Sequence, residues 1–151
     1  MSDIETKPLF TMRMREETQP LGPMRGAERR VVILTECIID GDRIKGRVLP
    51  GGSDWLTVEP DGALSLDCRM VIQTDDDHLI GVSYRGLRHG PPDAMVKLNR
   101  GEAIDTSGFY HRVAIFFDTS SEKYKWLNRI LAIGKGRRFP DTGVYEVFEI
   151  L

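Results

Sequence analysis

Apolar residues in this chain recur at every second position in short runs, and Gly, Pro and Asp break the runs. A period of two is that of a strand with one buried face, and turn residues at such short intervals join strands as antiparallel hairpins. The runs fall at 8–14, 29–39, 43–49, 55–59, 63–74, 78–86, 110–118, 129–135 and 143–151. No repeat or linker-like shift in composition separates them, so residues 1–151 are expected to form a single all-β domain, a sandwich or barrel of about eight or nine strands. Two short helices interrupt the pattern. One is expected over 92–100, with Pro92 in its first turn and Gly101 just past its end, and one helical turn over 121–127, capped by Ser120 or Ser121.

Composition narrows the function classes. A chain that is 40% hydrophobic and 29% charged has no apolar run long enough to span a membrane. Twenty-one basic against twenty-three acidic residues leave a net charge of -2, without the basic excess that binding a phosphate backbone requires, so neither nucleic acid nor membrane is an expected partner. Cys37 and Cys68 are far apart and sit in strand patterns, as reduced cytosolic thiols do. Residues 1–10 carry Asp3, Glu5 and Lys7 and lack a signal-peptide core, so a cytoplasmic protein is expected.

Three turns set registers, and the registers say which side chains share a face. Taken as a two-residue loop, Asp40-Gly41 pairs Ile39 with Asp42, sets Glu36 opposite Lys45, and groups Ile33, Cys37, Ile44 and Val48 inside. Pro60-Asp61-Gly62 pairs Glu59 with Ala63, so Val58 faces Leu64, Leu56 faces Leu66 and Asp54 faces Cys68. Asp75-Asp76-Asp77 pairs Thr74 with His78, so Cys68 faces Tyr84. Asp54, Cys68 and Tyr84 therefore form one row, at the end of an apolar face. The opposite face of these strands carries Trp55, Asp67, Arg69 and Arg85, with Asp67 opposite both Trp55 and Arg85.

The run Gly46-Arg47-Val48-Leu49-Pro50-Gly51-Gly52-Ser53-Asp54-Trp55 is followed by Pro60-Asp61-Gly62, Leu66-Asp67-Cys68-Arg69, Thr74-Asp75-Asp76, Gly86-Leu87-Arg88, Gly101-Glu102 and Tyr124-Lys125-Trp126-Leu127-Asn128. Together these blocks resemble the domain of unknown function 3237 family, also catalogued as uncharacterised protein family 0311, over nearly the whole chain. The resemblance implies a closed antiparallel barrel similar to that of allene oxide cyclase and dirigent proteins, whose members bind small molecules and steer cyclisation, isomerisation or coupling. It supplies no catalytic set. Two positions depart from the family pattern: Asp stands in the Asp75-Asp76-Asp77 turn where Gly is expected, and Cys68 replaces what is more often Ala.

A carboxylate on the inner face of such a barrel is desolvated, which raises its pKa toward the range of an acid–base group. Asp54 is thus the candidate base, with the alternative that it caps the amides of Trp55 and Leu56. Tyr84 and Arg88 share its parity and are candidates to stabilise charge on a substrate oxygen, with Tyr84 alternatively a core residue and Arg88 alternatively the ion-pair partner of Asp54. Trp55, Cys68, Arg69 and Arg112 are candidate substrate-binding residues, while Asp67, Arg69 and Arg85 also read as a surface ion-pair ladder. His78, His89 and His111 lack a His or Cys at ligand spacing, so no metal is expected, and no cofactor motif is present.

The expected function is a small-molecule-binding barrel, acting without cofactor as an isomerase, lyase or hydratase by proton transfer on a partly apolar carbonyl or phenolic compound. The alternatives are a non-catalytic binding barrel and a structural oligomer. Apolar residues on both faces of 110–118 and 143–151, together with Trp55, point to a homodimer or higher homo-oligomer.

Overall fold

The structure, a computed structural model, describes residues 2–151. Nine antiparallel strands run in the order β1 (Thr6–Met24), β2 (Ala27–Asp40), β3 (Lys45–Val48), β4 (Ser53–Val58), β5 (Leu64–Thr74), β6 (Leu79–His89), β7 (Tyr110–Asp118), β8 (Ala132–Arg138) and β9 (Thr142–Ile150). Among the described residues, helix is confined to α1 (Pro92–Asn99) and a 3-10 turn over Lys125–Arg129.

Hydrogen bonds close the sheet on itself. From β1 the ladder passes through β9, β8, β7, β6 and β5 to the β3 and β4 pair, then to β2 and back to β1. The short strands β3 and β4 lie end to end and share one place in the ring: β3 pairs with residues 38–40 of β2 and 72–74 of β5, and β4 with residues 28–33 of β2 and 64–69 of β5. Alternate residues of every strand point inward and make one continuous core, including Met12, Ile39, Leu66, Ile72, Ile80, Ile115 and Val147.

Two of the three turns adopt the expected registers. Glu59 N–H donates to Ala63 O at 2.8 Å and Thr74 N–H to His78 O at 2.9 Å, so Val58 pairs with Leu64, Asp54 with Cys68 and Cys68 with Tyr84. Both are three-residue loops whose third residue is left-handed, Gly62 at φ 87° and Asp77 at φ 65°. Aspartate tolerates this conformation where most side chains do not, and Asp77 there accepts a hydrogen bond from Gln73 Nε2 at 2.8 Å. Gly62 has a second reason to be glycine, since a Cβ would lie 2.8 Å from Cβ of Met95 on α1.

The first turn corrects the sequence reading. Asp40, not Glu36, pairs with Lys45, at 2.8 Å between Nζ and Oδ1, and the loop is Gly41 to Ile44. Ile44 is drawn into the core, and Gly41 packs so closely on β1 that a Cβ would sit 2.3 Å from Leu9 O. Glu36 pairs instead with Arg15 across β1 and β2. One residue further on, the register slips: Glu16 meets Leu34 and leaves Thr35 unopposed, a bulge that inverts the inward parity. Cys37 and Ile44 are therefore buried and Val48 packs on the core as expected, while Ile33 turns out to solvent.

β1 is also longer than its expected span of 8–14. Past Glu16 it continues to Met24, paired with β2 as a ribbon exposed on both sides. A ribbon without a buried face carries no alternation, and Pro20 and Pro23 hide it further.

Pro92 opens α1 as expected, with Arg100 and Gly101 donating to the last carbonyls. Met95 and Leu98 bury against Phe109 and Ile104. Asn99 ties the helix to the barrel, donating from Nδ2 to Gly62 O at 3.0 Å and accepting from Arg88 at Oδ1 and from Arg30 at its carbonyl, both at 3.1 Å. The second expected helical turn forms at 125–129, later than 121–127, and the Oγ of Ser121 accepts from Tyr124 N–H at 3.3 Å.

Candidate active site inside the barrel

Asp54 is the second residue of β4 and faces inward because the chain alternates from there through Leu56 and Val58. Cys68 lies directly across on β5 and Tyr84 across from Cys68 on β6. Over Cys68 the outer two meet: Tyr84 Oη donates to Asp54 Oδ2 at 3.1 Å. Oδ1 accepts the backbone N–H of Asp67 at 2.9 Å, so the backbone partner of Asp54 lies on β5, and not at Trp55 and Leu56 as the turn alternative holds.

Burial decides the electrostatics. Asp54 is only 5% exposed, and loss of water pushes its carboxyl up to about 7, with the hydrogen bonds from Tyr84 and Asp67 pulling the other way and the charges of Glu16 and Asp67 adding to the rise. The Tyr84 hydroxyl is pushed well above its ordinary value, first by burial and then by Tyr145 and Asp54. Burial, then Asp54, pushes the Cys68 thiol up. The row therefore holds a carboxyl whose pKa burial has brought up to about 7, beside a phenol and a thiol that keep their protons at neutral pH.

Arg88 lies one turn of the pleat beyond Gly86 on the same inward parity, paired with Leu64 and His111. Its Nη2 donates to Asn99 Oδ1, while its Nε is cut off from solvent and has no hydrogen-bond partner. Burial lowers its pKa to about 10, against the pull of Tyr145 and with the help of Arg138. No ion pair joins it to Asp54 within salt-bridge distance among the described residues, so the alternative of an Asp54–Arg88 pair is not realised.

Two further residues complete the group without a signal in the local sequence. Tyr145 on β9 stacks obliquely on Tyr84, with ring centroids 5.7 Å apart, and its hydroxyl lies 2.8 Å from His111 Nε2 on β7. Burial, then Arg88 and Arg138, lowers the His111 pKa to about 3, which keeps the imidazole neutral. Tyr145 belongs to an alternating strand like any other, and it meets Tyr84 across the barrel interior from a strand three places away in the sheet. Glu16 and Arg138, joined as an ion pair, stand near the same end.

The other candidates lie elsewhere. Trp55, Arg69 and Arg112 alternate with the inward residues of their strands and project from the outer surface, so of the four candidate substrate-binding residues only Cys68 adjoins Asp54. Asp67 and Arg85 form the outer ion pair at 3.8 Å, without Arg69. His78 bonds through Nδ1 with Ser121 Oγ at 2.7 Å, and His89 stacks on Tyr110.

Comparisons with known proteins place the fold in context. Residues 4–150 match the model of a family described as protein of unknown function (DUF3237). A UPF0311 protein from Rhodopseudomonas palustris is 32% identical over 149 residues, which cover 98% of this chain and 97% of that one. The crystal structure of a conserved protein of unknown function from the same organism superposes with a TM-score of 0.94 at 31% identity over all of both chains. A beta-barrel like protein from Acinetobacter baumannii gives 0.86 at 30% identity, covering 100% and 98%. More distantly, a hydroalkoxylation enzyme from Penicillium herquei is 32% identical over 117 residues, 78% of this chain and 63% of the enzyme.

Proposed function

The chain belongs to the DUF3237 family, and on that premise we propose that it is a small-molecule enzyme that moves protons inside the barrel, in the manner of an isomerase, lyase or hydratase. The observation that carries this reading is the Asp54–Tyr84 contact at 3.1 Å, in which a carboxyl pushed up to about 7 meets a phenol that burial holds well above its ordinary pKa. General acid–base chemistry works best when the catalytic pKa lies near the working pH.

The distant kinship with a hydroalkoxylation enzyme supports one form of the reaction, addition of an O–H group across a carbon–carbon double bond, and the carbonyl compound expected from the sequence places that bond in conjugation with a carbonyl. Asp54 takes the proton of the hydroxyl. The oxygen forms its bond to the β-carbon, the π electrons move to the carbonyl oxygen, and Tyr84 and Arg88 hold that oxygen as an enolate. The proton on Asp54 then returns to the α-carbon. The sequence is redox-neutral, with one O–H and one C=C consumed and one C–O and one C–H formed.

A non-catalytic binding barrel draws support from Asp54 Oδ1, whose bond to the Asp67 amide also braces β4 against β5. Turnover separates the two readings. The purified protein is assayed with 2′-hydroxychalcone, whose intramolecular addition is followed by loss of enone absorbance, alongside a panel of hydroxyaryl enones. Catalysed cyclisation that Asp54→Asn abolishes supports the enzyme, whereas ligand-dependent thermal stabilisation without turnover supports the binding barrel.

A further inference from the structure

A hollow of about 700 Å³ lies on the outside of the barrel, over β2 and β4 to β8. It is made by two adjacent cross-strand rows. One runs Arg29, Thr57, Ser65, Leu87, Arg112, and the other runs Trp55, Asp67, Arg85, Ala114, Ile133. The outer surface of a barrel is convex, and a hollow arises here because the short side chains of Thr57, Ser65 and Ala114 form a floor between taller neighbours. Trp55 at one side and Tyr110 at the other supply flat apolar walls, and each is about half exposed.

The charges around this hollow are unbalanced. Arg29, Arg85 and Arg112 line it against one carboxylate, Asp67, which already faces Arg85 at 3.8 Å. Arg112 is fixed in place, with its guanidinium 5.2 Å over the Tyr110 ring and Nη1 donating to His111 O at 3.0 Å. Neither Arg29 nor Arg112 has a carboxylate within salt-bridge distance among the described residues, and Arg29 Nε is buried with no hydrogen-bond partner. A buried donor left unmade is a cost that a bound acceptor removes.

We infer that this hollow is a second binding site, separate from the Asp54 row, and that it takes a flat aromatic carboxylate. Its ring lies along Trp55, Leu87 and Tyr110, and its carboxylate meets a guanidinium of the rim. The volume is that of an ordinary small-molecule site. Charge complementarity favours an anion over a second copy of the chain, because a two-fold contact through this hollow would bring six arginines together with only two Asp67 carboxylates. Residues alternate faces along β4 to β7, so the site shares strands with the inner row but no side chains.

Calorimetric titration with 2-naphthoate and with its neutral counterpart 2-naphthalenemethanol tests the assignment. Naphthoate should bind at least tenfold more tightly than the alcohol. Of Arg112→Gln and Arg29→Gln, the one at the arginine that holds the carboxylate should remove most of that preference and the other little of it, with the melting temperature unchanged in both, and Asp54→Asn should leave naphthoate binding intact. Equal affinity for acid and alcohol, absence of naphthoate binding, or binding indifferent to both arginine variants would overturn it. So would light scattering and crosslinking that reveal a homodimer with Trp55 in its interface.

Discussion

Asp54 and Tyr84 belong to strands that never touch, yet their side chains meet at 3.1 Å. β5 lies between them, which puts their backbones about 10 Å apart at the usual strand spacing. The contact closes because both point to the concave side of a curved sheet, because Cys68 between them is small, and because a tyrosine is long enough to span the gap.

Catalysis should depend on this pair unequally. Asp54→Asn keeps the shape and the Asp67 hydrogen bond but cannot accept the proton, so kcat with an active substrate should fall by about 10²–10⁴-fold with the fold intact by circular dichroism. Tyr84→Phe should cost less than the roughly 10²–10³-fold of a lone oxyanion donor, since in the proposed mechanism Arg88 shares the charge on that oxygen. A much lower melting temperature for the Asn variant, with a fully active Phe variant, would mark Asp54 as a structural residue.

Stability against pH should show two opposing slopes. Asp54, whose pKa rises from the ordinary carboxylate range to about 7, stabilises the fold below about pH 4, and the contribution is lost as pH climbs to 7. His111, whose pKa falls to about 3, does the reverse, adding stability as pH rises from 3 to about 6.5. Each changes stability by at most about 1.4 kcal/mol per pH unit. Denaturant unfolding of the wild type should therefore be nearly flat in the part set by these two groups between pH 4 and 6.5, and Asp54→Asn should expose a rise in stability over that window.

How much of this was legible in the sequence depends on what a turn can report. Glu59–Ala63 and Thr74–His78 follow from three-residue loops whose chemistry is local, and the Asp54–Cys68–Tyr84 row follows from them. Asp40-Gly41 looks equally like a tight hairpin, but the loop is widened by Ile44, which is held by the distant core, and by Gly41, which is pressed onto β1. The bulge at Thr35 has no residue signature, so Ile33 was placed on the wrong face. Tyr145 and His111 meet across Gly136 of β8, and the long β6–β7 and β7–β8 connections carry no tight turn from which those registers could be read.

The Gly62 turn should be intolerant of a side chain. Gly62→Ala requires a left-handed alanine and a Cβ 2.8 Å from Met95 Cβ, and should destabilise by about 1–3 kcal/mol in urea titration. Because Asn99 holds the same turn, trypsin should also cut faster at Lys97 and Arg100.

Both thiols should be inert in the native protein. Cys37 and Cys68 are buried, with burial pushing Cys37 up to about 12 and Cys68 upward as well, so neither forms thiolate at neutral pH. An aromatic disulfide reagent should release no thiolate signal from the folded chain and two equivalents in urea.

The sharing of one place in the ring by β3 and β4 also governs the order of assembly. The β1–β2, β4–β5 and β5–β6 ribbons each join neighbours in sequence and can form early, whereas β1 and β9 pair Thr6 with Ile150, almost the full length of the chain apart. Loop-closure entropy makes such a pairing late, and barrels dominated by distant contacts fold in milliseconds to seconds. Two tandem half-length strands add a second wait, since β3 gains its ladder to β5, and β4 its ladder to β2, only after the two outer ribbons have come together. The interior that joins Tyr145 to the Asp54–Tyr84 row is thus expected to be completed last, and a chain caught before that step has the hairpins but not the full group.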